Sequence, residues 1–145
     1  MARKRDYQHR ALDQNFVSKD TKFKFRCVQC GECCRNVRAE DKIILSPIDL
    51  YRAAKHLDLE IQEILATYCD MVPGGESMLP LVILKERVDG SCSFLKKGKC
   101  TIHEAKPIAC AMCPLGRVAF LNDVTGEQEF HYYLEEADCA AQKDE

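Results

Sequence analysis

Apolar residues recur with helical spacing in the middle of the chain. Leu50, Ala53, Ala54 and Leu57 fall at i, i+3, i+4 and i+7, the period that lines one face of an α-helix. Ser46-Pro47-Ile48-Asp49 stands just ahead of them. Serine supplies a cap, proline takes the first helical position, where its missing N–H costs nothing, and Asp49 completes a capping-box-like start. Ile61, Ile64, Leu65 and Tyr68 repeat the spacing and predict a second helix from Asp58 to Cys69, ended by Pro73-Gly74-Gly75. The two helices predict an αα-hairpin supplying most of the apolar core, with Leu50, Leu57, Ile61, Leu65 and Tyr68 as its contact face.

Elsewhere the pattern is that of short strands. Phe23-Lys24-Phe25-Arg26 alternates and suggests a strand leading into Cys27. Leu81-Val82-Ile83-Leu84 reads as a strand, Asp89-Gly90 as a turn, and Ser93-Phe94-Leu95 as a short return. Lys96-Lys97-Gly98-Lys99 is another turn, followed by Cys100-Thr101-Ile102. Arg117–Leu121 and Glu129–Leu134 flank Asn122–Gly126 as a late hairpin. The expected fold class is small α+β, with metal-stabilised, cysteine-rich loops around an αα-hairpin and short β-hairpins. Residues 1–22 are polar and poorly patterned, a basic, loosely ordered leader. Residues 23–139 form one cysteine-cluster domain, and residues 140–145 an acidic tail.

Composition raises the question of metal. Ten of the 145 residues are cysteine, which calls for either a disulfide scaffold or a metal site. The first residues, Met-Ala-Arg-Lys-Arg-Asp-Tyr, precede no apolar run of the secretory kind. No stretch approaches the roughly 18 apolar residues of a membrane span. A cytoplasmic location is therefore expected, where thiols stay reduced and bind metal. The net charge of −2 is unevenly spread. Residues 1–26 carry eight Lys/Arg against three Asp/Glu, and residues 121–145 one against eight. The basic arm has one tyrosine and no Gly-Arg or Ser-Arg repeat, so a solvated tail is expected rather than a nucleic-acid-binding one.

The spacing of the cysteines carries the chemistry. Cys27-x-x-Cys30-x-x-Cys33-Cys34 opens the domain and Cys110-x-x-Cys113-Pro114 closes it, with Cys92 and Cys100 between. A two-residue gap lets successive thiolates turn back toward one centre, and Gly31 suits such a loop because glycine accepts positive φ. Soft thiolates select zinc, copper(I) or iron–sulfur. The steps of three ending in Cys-Pro are like those of bacterial ferredoxins, except that Cys34 follows Cys33 directly. Neighbouring side chains in a strand or turn point apart. Cys33 is thus expected to face Cys27 and Cys30, and Cys34 a later cysteine such as Cys92 or Cys113. Eight cysteines would suffice for two four-thiolate sites, or for one cluster and a labile ion.

Phe25-x-Cys27-x-x-Cys30-Gly31-x-Cys33-Cys34, Cys92-x-Phe94-Leu95 and Cys100-x-Ile102-His103-Glu104-x-Lys106-Pro107-x-x-Cys110 occur in that order. Together they resemble the CxxCxxCC cysteine-cluster family, the YkgJ-type zinc- or iron-chelating domain, over roughly residues 23–117. The resemblance implies a metal site drawn from Cys27, Cys30, Cys33, Cys34, Cys92, Cys100 and Cys110, to which Cys113 would add a further ligand. It also implies kinship with proteins labelled iron–sulfur oxidoreductases and with flagellin lysine N-methylases. The chain departs from the family pattern at His103, where tyrosine is usual, at Lys106, where arginine is usual, and at Cys113, where an aromatic is common.

The remaining chemistry-bearing residues are expected to be bystanders. Cys69 reads as a packed small hydrophobe and Cys139 as an exposed thiol. Glu40 and Asp41 read as a solvated turn, and His9, His56 and His131 as ordinary surface or half-buried residues. His103 is either a nitrogen ligand or a filled aromatic slot. The seven glycines make no Gly-x-Gly-x-x-Gly, so no Rossmann unit is expected. The leading expectation is an iron–sulfur or iron protein for redox or iron handling, with a redox or protein partner. Two alternatives stand beside it: a structural zinc interaction module, and a metal-dependent enzyme related to the methylases.

Overall fold

The computed structural model describes residues 16–35 and 42–134. In chain order they form β1 (Phe16–Val17), α1 (Glu32–Arg35), α2 (Pro47–Leu57), α3 (Ile61–Tyr68), β2 (Cys69–Gly74), β3 (Leu79–Leu84), β4 (Leu95–Lys96), β5 (Lys99–Cys100), α4 (Ile108–Met112), β6 (Leu115–Leu121) and β7 (Gln128–Leu134). Single 3₁₀ turns occur at Gly75–Ser77 and His103–Ala105. The described residues make a small mixed α/β architecture, with four helices and several short antiparallel sheets.

The capping sequence acts as its chemistry dictates. The Ser46 amide donates to Asp49 Oδ2 at 2.9 Å and its hydroxyl to the same oxygen at 2.7 Å, so the helix opens at Pro47. Asp58, expected to start the second helix, instead ends the first. It adopts left-handed φ of 54° and ψ of 47°, and its amide returns to the Ala54 carbonyl. Aspartate is one of the few residues that visit this region readily. The next helix begins after Glu60, whose amide donates to Glu63 Oε2 at 2.9 Å.

α3 ends at Tyr68, and Cys69 turns extended. Cys69–Gly74 was expected to finish a helix and terminate it, yet it pairs antiparallel with β3, from Cys69 opposite Leu84 to Gly74 opposite Leu79. Pro73 is tolerated because β2 lies at the edge of a two-stranded sheet. On its other side β3 is held by Leu45, whose amide donates to the Val82 carbonyl, and by the Leu84 amide donating to Ile43.

The core of residues 26–111 gathers Leu45, Ala53, Ala54, Ile64, Cys69, Leu84, Cys92, Phe94, Leu95 and Ile102. Ile64, Phe94 and Ile102 are its most enclosed large side chains, each contributing about 1.5–3 kcal/mol by burial. The Tyr68 ring stacks on Phe94 at 4.3 Å between centroids. Of the expected contact face, Leu50, Leu57, Leu65 and Tyr68 are half-buried against this core. Ile61 is 40% exposed, and its place is taken by Ile64.

A second compact unit holds described residues 16–25 and 112–134. Its sheet has the order β1-β7-β6, all antiparallel. The late hairpin forms as expected, with Val118 opposite His131 and Leu121 opposite Gln128. The strand expected at Phe23–Arg26 is not formed. Phe16–Val17 pairs instead, opposite Tyr133 and Tyr132, inside the stretch expected to be a loose leader. Phe16, Phe120 and His131 make ring contacts on one face, which anchors so short a strand. No helix among the described residues is long and apolar enough to cross a membrane.

Candidate metal centre

The cysteine loop is shaped by Gly31. Its φ of +80° is one that side chains resist, and a Cβ there would stand 2.9 Å from the Gly98 carbonyl oxygen. Only glycine lets the loop approach the β4–β5 turn this closely. The Gly31 carbonyl then accepts from the amides of Cys34, at 3.1 Å, and Arg35, at 2.9 Å. These bonds start α1, which Arg35 closes with a 2.6 Å ion pair to Glu32.

That single helical turn overturns the expectation that Cys33 and Cys34 point apart. Their sulfurs lie 4.0 Å from each other. Successive helical residues are separated by about 100°, not the 180° of a strand, so adjacent sulfurs can meet. Cys34 also reaches a later cysteine by its side chain, but the partner is Cys100 rather than Cys92 or Cys113. Its carbonyl accepts the Cys92 amide at 2.6 Å.

The later thiols are positioned by the core itself. Cys92 lies two residues from buried Phe94, whose amide donates to Cys92 Sγ at 3.4 Å. Cys100 sits opposite Leu95 in the β4–β5 ladder, and the Thr101 hydroxyl ties the next residue to the Phe94 carbonyl at 2.8 Å. Phe94, Leu95 and Ile102, the apolar positions of the later cysteine motifs, are thus core residues that position Cys92 and Cys100.

The thiols perturb one another. Side-chain hydrogen bonding with Cys34 holds Cys33 and Cys100 well below the ordinary thiol value, each at about 6. The pKa of Cys34 itself is pushed up for the same reason, first by the hydrogen bond to Cys100 and then by that to Cys33. Burial raises Cys92, and raises Cys110 to about 12 with the nearby charges of Cys92, Cys33 and Cys100 adding to it. The Lys106 ammonium acts the other way, lowering Cys33, Cys100 and Cys110. Lys106 stood out in the sequence only as a departure from the family pattern.

The Cys33 and Cys34 sulfurs are in contact, Cys100 interacts with Cys34, and Cys92 and Cys110 feel their charge. Cys27 and Cys30 are half-buried in the preceding loop. Cys113 is half-buried in the other compact unit, before a cis Pro114. Among the described residues no three Cys, His, Asp or Glu side chains form a closed metal-binding group. Still, the donor chemistry fits a soft metal. A tetrahedral site with thiolates about 2.3 Å from zinc has sulfurs about 3.8 Å apart, close to the Cys33–Cys34 separation. His103 Nε2 is buried with no hydrogen-bond partner among the described residues. Cys69 is buried in the core with its thiol raised to about 11 by desolvation, as befits a packed hydrophobe. Glu40, Asp41, His9 and Cys139 lie outside the described residues.

Sequence reasoning missed what Asp49 does beyond capping. It is buried, and its Oδ1 accepts the Ile108 amide at 2.9 Å, at the start of the helix bearing Cys110. No local signal marks a bond across 59 residues.

The chain belongs to the CxxCxxCC family, described as a putative zinc- or iron-chelating domain, whose model matches residues 26–140. No curated protein and no solved structure matches the chain.

Proposed function

We propose that this protein holds a thiolate-bound zinc or iron ion, with Cys33, Cys34 and Cys100 as the central ligands. The supporting observation is the contact of the Cys33 and Cys34 sulfurs at 4.0 Å, a separation suited to two ligands of one ion. Cys92, Cys110, Cys27, Cys30 and the Nε2 of His103 are the candidates for the remaining position. A metal there would supply a positive centre for thiolates that otherwise repel one another, and would close the cysteine loops around the α2–α3 pair. Residues 23–139 are the domain it would stabilise.

An iron–sulfur centre is the second reading, favoured by the two-residue steps at Cys27, Cys30 and Cys33. It would make the protein a redox or iron-handling component with a redox or protein partner. The deciding experiment is anaerobic purification followed by metal and acid-labile sulfide analysis. Colourless protein with one zinc, or pale protein with one iron and no sulfide, supports the single-ion reading. Brown protein with stoichiometric sulfide replaces it with the cluster. Protein that retains no metal after reconstitution with either ion overturns both.

A further inference from the structure

We propose that a cleft bounded by Arg35, Arg87, Ser91 and Lys97 binds a small polyanion, one that presents phosphate or carboxylate oxygens. The cleft has a volume of about 410 Å³ and is lined by these residues with Asp89, Leu95 and Gly98. That volume falls within the roughly 300–1,000 Å³ of small-molecule sites, but the lining is polar and basic rather than apolar. Three cationic side chains face one carboxylate.

The carboxylate is already engaged. Asp89 Oδ1 accepts the Ser91 amide at 3.0 Å and the Ser91 hydroxyl at 2.6 Å, a local turn that leaves it shaping the loop. The cations are less fully used. Arg87 donates from Nη2 to the Ser93 carbonyl at 3.0 Å, which leaves most of its five N–H donors unspent. Arg35 pairs with Glu32 through Nη1, while its Nη2 lies beside Gly98. Lys97 makes no hydrogen bond or ion pair with a described residue. Lys96 and Lys99 are exposed on the same hairpin and add to the field. Planar guanidinium groups with a lysine beside them match the geometry of phosphate and carboxylate oxygens.

The cleft is built from neighbours of the thiols: Arg35 follows Cys34, Ser91 precedes Cys92, and Leu95 pairs with Cys100. Its ligand chemistry does not depend on the metal, so the inference stands apart from the proposed function.

The test is a titration of ¹⁵N-labelled full-length protein with pyrophosphate and, separately, citrate, followed at the amides of Ser91, Leu95 and Gly98. At about 0.15 M salt, where the screening length is about 8 Å, saturable shifts at these amides are expected, with a Kd of about 1 mM or below. The tighter of the two anions identifies phosphate or carboxylate as the group recognised. Lys97→Asn should weaken binding at least about threefold and, combined with Arg87→Gln, about tenfold. Asparagine tolerates the left-handed φ of 50° at position 97, so the single variant keeps the test sound if the double one folds poorly. The absence of saturable shifts with either anion overturns the proposal. So do shifts of equal strength in Lys97→Asn, or shifts that track metal loss measured on the same samples.

Discussion

The Asp49 carboxylate joins two ends of the domain: one oxygen caps α2 through Ser46, and the other accepts the Ile108 amide at 2.9 Å. A single buried side chain thus sets both the start of a core helix and the start of the helix that carries Cys110. Asp49→Ala should cost about 2–4 kcal/mol, the lost cap adding to the lost charge-assisted bond from the Ile108 amide. Ser46→Ala, which weakens the cap alone, should cost about 1 kcal/mol. Urea unfolding of the two variants checks the difference, and equal losses would mean the bond to Ile108 contributes nothing.

Removing a ligand should be felt in metal content as well as stability. Serine at Cys33, Cys34 or Cys100 should lower bound metal and soluble yield together, because metal binding doubles as folding energy. Cys34→Ser should act as strongly as Cys33→Ser, since one contact joins the two sulfurs. Cys69→Ala should keep full metal and lose about 1 kcal/mol of core burial. Metal analysis of the purified variants decides it. Two separable metal fractions in Cys34→Ser would show two sites instead.

Chelator-treated protein should reveal the thiol network by its pH dependence. Cys33 and Cys100 titrate at about 6 when folded against an ordinary 9.0. Between those values the unfolded chain holds protons that the folded one has shed, so stability rises with pH from about 6 to 9. That contribution is lost as pH falls through 6. Cys34, raised by the same hydrogen bonds, opposes the trend only above 9. Cys34→Ala removes the shared hydrogen-bond partner, and the thiolate absorbance of the metal-free variant should then titrate closer to 9. An unchanged titration curve would show that Cys34 does not lower its neighbours.

The close approach of Gly31 to Gly98 should be intolerant of any side chain. Gly31→Ala places a Cβ 2.9 Å from a carbonyl oxygen at a φ of +80°, and should cost about 1–3 kcal/mol and lower metal content. Gly126→Ala, at a φ of +71° with nothing within 4 Å, pays only the backbone term, about 1–2 kcal/mol, and should keep its metal. Thermal unfolding with metal analysis distinguishes the two. Full metal retention in Gly31→Ala would show that the loop does not need this approach.

Local chemistry made part of the molecule legible from the chain alone. The Ser46–Asp49 cap and the spacing of Leu50 to Leu57 determine α2, because caps and helical period act over a few residues. The turn at Asn122–Gly126 determines the β6–β7 hairpin in the same way. The cysteine steps determine the thiolate chemistry and the family, since soft ligands at two-residue spacing serve little else. Tertiary structure decided what depends on distant partners. β2 exists because β3 pairs with it, against the terminating reading of Pro73-Gly74-Gly75. Cys33 and Cys34 meet because Gly31 docks on Gly98 and winds the next residues into a helical turn. Asp49 reaches Ile108, and Arg35, Arg87 and Lys97 come to line one cleft, only after the core around Phe94 and Ile102 has packed. Such contacts join segments with no period or motif in common, so no local pattern could announce them.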